Sequence, residues 1–197
     1  MPNRHRRSTV PWPTNCRESR TVSNFLYLPN LGALVTGWDD TDFSAADGGM
    51  VEGFGEWGAG LQGESADWQL QLDRILQLAR QDKVLFLQGT LQDDPNTPDG
   101  LRHRLFMLGS YLLAKDDYTY INMLPPGGDV GVYYYPEYEL DLGDATTQTP
   151  ARIDQLLWNG VYRRDFENYS AYLNLSGSGY ALPNGNALGS MQGAFVP

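Results

Sequence analysis

Four polar residues recur at like places in this 197-residue chain: Asn30, Glu52, Gln88 and Asn122. Each closes a short apolar run. Phe25-Leu26-Tyr27-Leu28 leads to Pro29-Asn30, Met50-Val51 to Glu52, Val84-Leu85-Phe86-Leu87 to Gln88, and Tyr120-Ile121 to Asn122. Side-chain amides both donate and accept hydrogen bonds, and a carboxylate can do acid or base work. Four such groups at the ends of neighbouring strands are what a site for a hydroxyl-rich ligand needs. Strands also end in polar residues simply because they end at the surface.

Glu52 is the sharpest of the four. It follows Met50-Val51 and precedes Gly53-Phe54-Gly55, so burial among apolar neighbours is expected. A buried carboxylate is costly unless it is hydrogen-bonded or has a task, and burial favours the protonated form that a general acid needs. The plainer reading is a carboxylate bonded to loop backbone. Glu56 is expected at the rim. Trp38, Trp57 and the run Tyr133-Tyr134-Tyr135 could stack on sugar rings, or could pack a core. Trp57 and Tyr134 join Asn30, Gln88 and Asn122 as candidate substrate-binding residues. Glycosidic cleavage by the usual route needs two carboxyl groups flanking the bond. No second carboxylate is placed like Glu52: Asp39, Asp40, Asp42, Asp47, Asp129 and Glu137 all fall in expected loops.

The elements that would position these groups follow from periodicity. Extended runs are expected at 25–28, 49–54, 83–88 and 118–123. Trp68, Leu72, Ile75, Leu76 and Ala79 mark one face of a helix, with Asp67 or Ser65 as cap. Leu101, Leu105, Leu108 and Leu112 mark a second helix, with Thr97 as N-cap, Pro98 in the first turn and Lys115 at the negative end of the dipole. Apolar strands alternating with amphipathic helices argue for an α/β fold with a parallel sheet. Beyond Pro125-Pro126-Gly127-Gly128 the texture changes. Residues 132–142 read as aromatic and extended, 160–166 and 169–175 as a hairpin, and the last twenty residues as a loose tail. The divisions are an irregular basic leader at 1–23, the α/β part at 24–125 and the extension at 126–197.

Composition narrows the function. The formal charge is −10, which argues against general nucleic-acid binding. Arg4, Arg6, Arg7, Arg17 and Arg20 make the first twenty residues basic; such an arm can bind nucleic acid or an anionic surface, though an irregular leader is the plainer reading. The lone cysteine, Cys16, excludes an intrachain disulfide. No apolar run suits a signal-peptide core or a membrane span, which leaves the compartment open. Gly53-Phe54-Gly55 and Gly58-Ala59-Gly60 lack the Lys-Ser/Thr of a phosphate loop and the GxGxxG order. His5 and His103 are too far apart to suggest a metal cluster, so neither cofactor nor metal is expected.

The segments "LPNLGAL", "DGGMVEGFGEW", "RLFMLGSYLLAKDDYTYINML", "YYYPEYELDLG" and "NGVYRRDFEN" resemble the C-terminal half of bacterial glycoside-hydrolase-like (β/α)8-barrel proteins, distant relatives of endo-polygalactosaminidase-type enzymes. The resemblance spans about residues 26–175. It implies a partial TIM-type barrel, the last four βα units, with a C-terminal β-hairpin extension. It makes Glu52 the carboxylate ending the sixth strand and places its partner, an Asp, on a fourth strand upstream of the residues present. A family hairpin would carry Gly after Glu-Asn, where this chain has Tyr169. Full-length relatives are expected to be secreted or associated with the envelope.

Three functions are consistent with these residues. One is a glycoside-hydrolase-like protein acting on a polysaccharide or oligosaccharide, incomplete as a single chain. Another is a non-catalytic carbohydrate-binding or cell-envelope component. A third is an interaction protein assembled through its acidic surface and basic arm. A half-barrel would expose open sheet edges, so self-association, or association with a missing N-terminal half, is expected.

Overall fold

The structure, a computed structural model, describes residues 25–35, 43–56, 65–127 and 131–197. Trp38, Trp57, Cys16, Asp129 and the basic leader lie outside the described residues.

Strands β1 (Gly48–Glu52), β2 (Val84–Thr90) and β3 (Thr119–Leu124) form a parallel sheet in the order β1-β2-β3. Residues 27–32 run alongside β1. The Leu31 amide donates to Met50 O at 2.7 Å, and the Glu52 amide donates to Gly32 O at 3.0 Å. Asn30 bridges Met50 in parallel sense. Helices α1 (Ser65–Ala79) and α2 (Pro98–Ala114) connect these strands.

Side-chain alternation splits the sheet into two unlike faces. Leu31, Val51, Leu85 and Leu87 point to the helices and are buried with Trp68, Leu72, Ile75 and Leu76 of α1 and Leu108 and Leu112 of α2. Met50, Phe86 and Tyr120 point the other way; Phe86 is 44% exposed and Tyr120 48%. Strands apolar throughout suggested burial on both faces. Among the described residues, helices cover only one. The run at 25–28 also departs from expectation: Phe25, Leu26 and Tyr27 are exposed, because this segment lies at the outer edge of the sheet.

Helix α2 is buried on far more than one stripe. Its residues from Phe106 to Ala114 are all buried, whereas Leu101, expected on the apolar face, is exposed. The cause is a second layer. Strands β4 (Leu157–Trp158), β5 (Val161–Asp165), β6 (Ser170–Asn174) and β9 (Gln192–Val196) form an antiparallel sheet that packs on α2. The helix is thus held between two sheets. The loose tail expected at the C-terminus is corrected by this arrangement. After the small ladder of β7 (Tyr180–Ala181) and β8 (Ala187–Leu188), β9 pairs with β6 and passes so close to α2 that a Cβ on Gly193 would lie 2.2 Å from Leu105 O. Its Gly and Ser content reads as a tail, but the glycine serves close packing.

The segment Arg163-Arg164-Asp165-Phe166-Glu167-Asn168 anchors this layer. Arg164, 3% exposed, donates from Nη1 to Leu112 O (3.0 Å), Leu113 O (3.1 Å) and Lys115 O (2.6 Å). It therefore satisfies the orphan carbonyls at the C-terminus of α2 and sits at the negative end of its dipole, the task the sequence suggested for Lys115. Burial pulls its pKa below the ordinary arginine value, with Asp116 acting in the opposite sense. Phe166 and Tyr169 close the β5–β6 turn, the Phe166 amide donating to Tyr169 O at 2.8 Å. Tyr169 does not have positive φ, so no glycine is required there.

Candidate functional site at the ends of the parallel strands

The register of the parallel sheet brings three of the candidate residues into one row. Glu52 pairs with Gln88 across β1–β2, and Gln88 with Asn122 across β2–β3. Register partners in a parallel ladder point to the same face, so these three side chains line the open face near the C-terminal ends of their strands. Open parallel sheets take ligands at this end. Asn30 is level with Met50, one pleat repeat below the row, and its Oδ1 accepts from the Gly32 amide at 2.8 Å in a local turn. Asn30 thus shares the face but not the row.

Glu52 is exposed. The buried carboxylate expected from its neighbours is not found, because Met50 and Glu52 face outward while Val51 alone of that run enters the core. Asn122 is held in orientation: its Nδ2 donates to Gly131 O at 3.0 Å, and its Oδ1 is buried without a hydrogen-bond partner among the described residues. Gln88 is partly buried between the two.

Two residues outside the row shape this end of the sheet. Glu56, read as a rim residue, accepts from the Thr90 amide at 2.6 Å and so clamps the chain after β1 to the last residue of β2. Gln71 of α1 is fully buried. Its Oε1 accepts from the Gly55 amide (3.1 Å), and its Nε2 donates to Ala33 O (2.7 Å) and Gly53 O (3.3 Å). One amide therefore fixes the chain beyond both Asn30 and Glu52. A polar residue on an otherwise apolar helix stripe was the only sequence signal for it.

Tyr134 is 63% exposed, packs edge-on against Tyr138 with centroids 6.2 Å apart, and donates to Glu139, which raises its pKa above the ordinary tyrosine value. Its neighbours turn inward instead. Tyr135 packs with Leu91, Met107 and Met123 under the Arg104 guanidinium, 4.8 Å from the ring centroid. Arg104 pairs with Glu137 at 3.0 Å, both largely buried. Burial pushes the Tyr138 hydroxyl up to about 12. Glu137, one of the loop carboxylates considered earlier, is thereby engaged by Arg104. These groups pack on the helix side of β3, opposite the row.

A cleft of about 610 Å³ lies at the other end of the strands, lined by Arg80, Asp82, Lys115, Asp116, Asp144 and Arg164 among others. It borders the residues that precede β2 and β3, remote in register from Glu52. Among the described residues no group of three or more His, Cys, Asp or Glu side chains could hold a metal ion. No described helix is long and apolar enough to cross a membrane.

The profile of hypothetical glycosyl hydrolase family 15 matches residues 16–170. The chain belongs to this family. The match takes in β1 to β3, both helices and the first residue of β6, and begins within the segment read from sequence as a basic leader. No curated protein matches the chain. Family membership supports a glycoside-hydrolase-like function.

Proposed function

We propose that this chain engages a polysaccharide or oligosaccharide at the open face of its parallel sheet, with Glu52 as general acid or nucleophile and Gln88 and Asn122 as hydrogen-bonding partners of sugar hydroxyls. The observation that carries this reading is the register row Glu52–Gln88–Asn122 in a member of a glycosyl hydrolase family. In the same reading the four parallel segments are part of a (β/α) barrel of TIM type, and Asn30 shares the face of the sugar site, one pleat repeat below the row. The resemblance to endo-polygalactosaminidase-type enzymes favours an amino-sugar polymer as substrate.

The row contains one carboxylate, where cleavage by the usual route needs two. That observation favours a second reading, a carbohydrate-binding protein without turnover. Isothermal titration with soluble hexosamine oligosaccharides, paired with a reducing-end assay, separates the two. Catalysis requires that Glu52→Gln bind sugar and lose turnover. Binding by both forms with turnover by neither supports the second reading. Absence of binding by either form removes both.

A further inference from the structure

The geometry points to Glu56 as the second carboxyl group of the cleavage, paired with Glu52 within one chain. This inference rests on the function proposed above and names the group that the row lacks.

The end of β1 decides where Glu56 reaches. Backbone amides along β2 alternate between its two neighbours. Val84 N donates to Asp47 O on the β1 side, whereas Leu85 N donates to Tyr118 O and, just past the strand, Leu91 N to Leu124 O on the β3 side. Thr90 alternates with Leu91, so its N–H points to the β1 side. The register of β1 and β2 is unbroken from Gly48–Val84 to Glu52–Gln88, and the Phe54 amide still follows it by donating to Gln88 O at 2.9 Å. One step further, Thr90 N–H would meet the Gly53 carbonyl.

The chain turns away instead. Gly53 and Gly55 have φ of 67° and 69°, values open to glycine at little cost. The Gly53 carbonyl accepts from Gln71 Nε2 (3.3 Å) and from the Glu56 amide (3.4 Å). Glu56 Oε1 takes the vacated place in the ladder, 2.6 Å from Thr90 N.

That place is fixed relative to Glu52. It lies in the plane of the sheet, about 5 Å beyond the Glu52 Cα at a rise of ~3.3 Å per residue. The Glu52 carboxyl stands about 4 Å off the sheet on the open face. Carboxyl groups so placed are roughly 5–8 Å apart, within the span of about 5–9.5 Å that covers retaining and inverting pairs. The mounting is stiff, because Phe54 is fully buried and Gln71 holds both Gly53 O and Gly55 N. Glu56 is half-buried beside the exposed Glu52. A clamp on Thr90 N–H would be served by a neutral acceptor, without setting two like charges near each other.

Glu52, protonated, gives its proton to the glycosidic oxygen as the bond from that oxygen to the anomeric carbon breaks, its electron pair leaving with the oxygen. Glu56, ionised, takes a proton from the water whose oxygen bonds to the anomeric carbon. One water is added across the bond, and the two carboxyls regain their starting states by proton exchange with solvent. A carboxylate has two oxygens, so Oε1 can keep the Thr90 N–H while Oε2 receives the proton.

Glu56→Gln separates catalysis from clamping, since an amide oxygen can accept from Thr90 N–H as the carboxylate does. Its Tm and its affinity for soluble hexosamine oligosaccharides should match wild type, while reducing-end release from hexosamine polysaccharides should fall about 100-fold or more. Turnover close to wild type overturns the inference and leaves Glu56 a clamp. Should Glu56→Gln lower Tm, Glu56→Ala with sodium azide decides. Azide should attack the anomeric carbon in place of activated water, restoring turnover with a glycosyl azide as product; absence of both rescue and that product overturns the inference. Failure here is distinct from failure of the proposed function. If wild type cleaves, Glu52→Gln is inactive and Glu56→Gln is active, the function stands and the second carboxyl lies elsewhere. Wild type that cleaves no hexosamine polymer defeats both.

Discussion

Replacing Arg164 by Met should destabilise the protein far more than replacing its neighbour Arg163 by Ala. Arg164 is 3% exposed and donates to three carbonyls at the end of α2, at 3.0, 3.1 and 2.6 Å. Methionine fills much of the same volume but leaves those carbonyls unanswered. A lost hydrogen bond to a charged group costs about 1.5–3 kcal/mol, and loss of a cation at a partly buried helix C-terminus up to about 2 kcal/mol. Water entering at the cleft would offset part of this, so the expected loss is about 3–5 kcal/mol. For a chain of this length that lowers Tm by roughly 10 °C. Arg163 is partly exposed, pairs with Asp165 at 2.7 Å and lies over Trp158, so its loss should cost about 1 kcal/mol or less. Thermal unfolding followed by circular dichroism measures both. Arg164→Lys should fall between, since it keeps a cation at the end of α2 but loses the planar guanidinium that lies 5.6 Å over the Phe166 ring. If Arg164→Met melts within about 2 °C of wild type, or Arg163→Ala melts as low as Arg164→Met, the helix-capping role is wrong.

Gln71→Leu should cost about 2–4 kcal/mol in urea unfolding, because Gly55 N, Ala33 O and Gly53 O lose their partner in a dry site; sugar affinity should fall with it. Gly89→Ala should destabilise by about 1–3 kcal/mol, since its Cβ would lie 2.0 Å from the backbone Phe54 O and 2.1 Å from Met107 Cε. His103 is buried, accepts from the Gln92 amide through Nδ1, and has its pKa held below 6.5 chiefly by burial, with Asp93 opposing. The unfolded chain therefore takes up the proton first. Stability from this group is complete above pH 6.5 and declines as pH falls through that value. Tm should drop between pH 7 and 5.5, and His103→Gln should flatten that drop; an equal slope in both forms removes His103 as the cause.

Much of the local structure was legible from the chain. Thr97 does cap α2, its Oγ1 accepting from the Gly100 amide at 3.1 Å, and Pro98 opens the helix. The apolar stripe of Trp68, Leu72, Ile75 and Leu76 is buried throughout. These features depend on residues three or four apart, which a sequence displays directly. The row of Glu52, Gln88 and Asn122 was visible as a repeated motif, but the alignment of its members was not, since register depends on hydrogen bonds between strands over thirty residues apart. Long-range partners stayed hidden for the same reason. Nothing near Arg164 in sequence indicates that it caps a helix some fifty residues earlier, and nothing near Gly193 indicates the helix against which it packs. Glu52 shows the reverse error: its apolar neighbours suggested burial, but in a strand adjacent residues face opposite ways, and only an uncovered face leaves the carboxylate in solvent.

Reducing-end release from hexosamine polysaccharides by wild type and Glu52→Gln, at equal concentrations, tests the functional reading most directly. General acid–base catalysis contributes roughly 10²–10⁴ in rate. Wild type should cleave, and Glu52→Gln should be slower by about 100-fold or more while still binding the polymer. Equal cleavage by the two forms would contradict the assignment of Glu52.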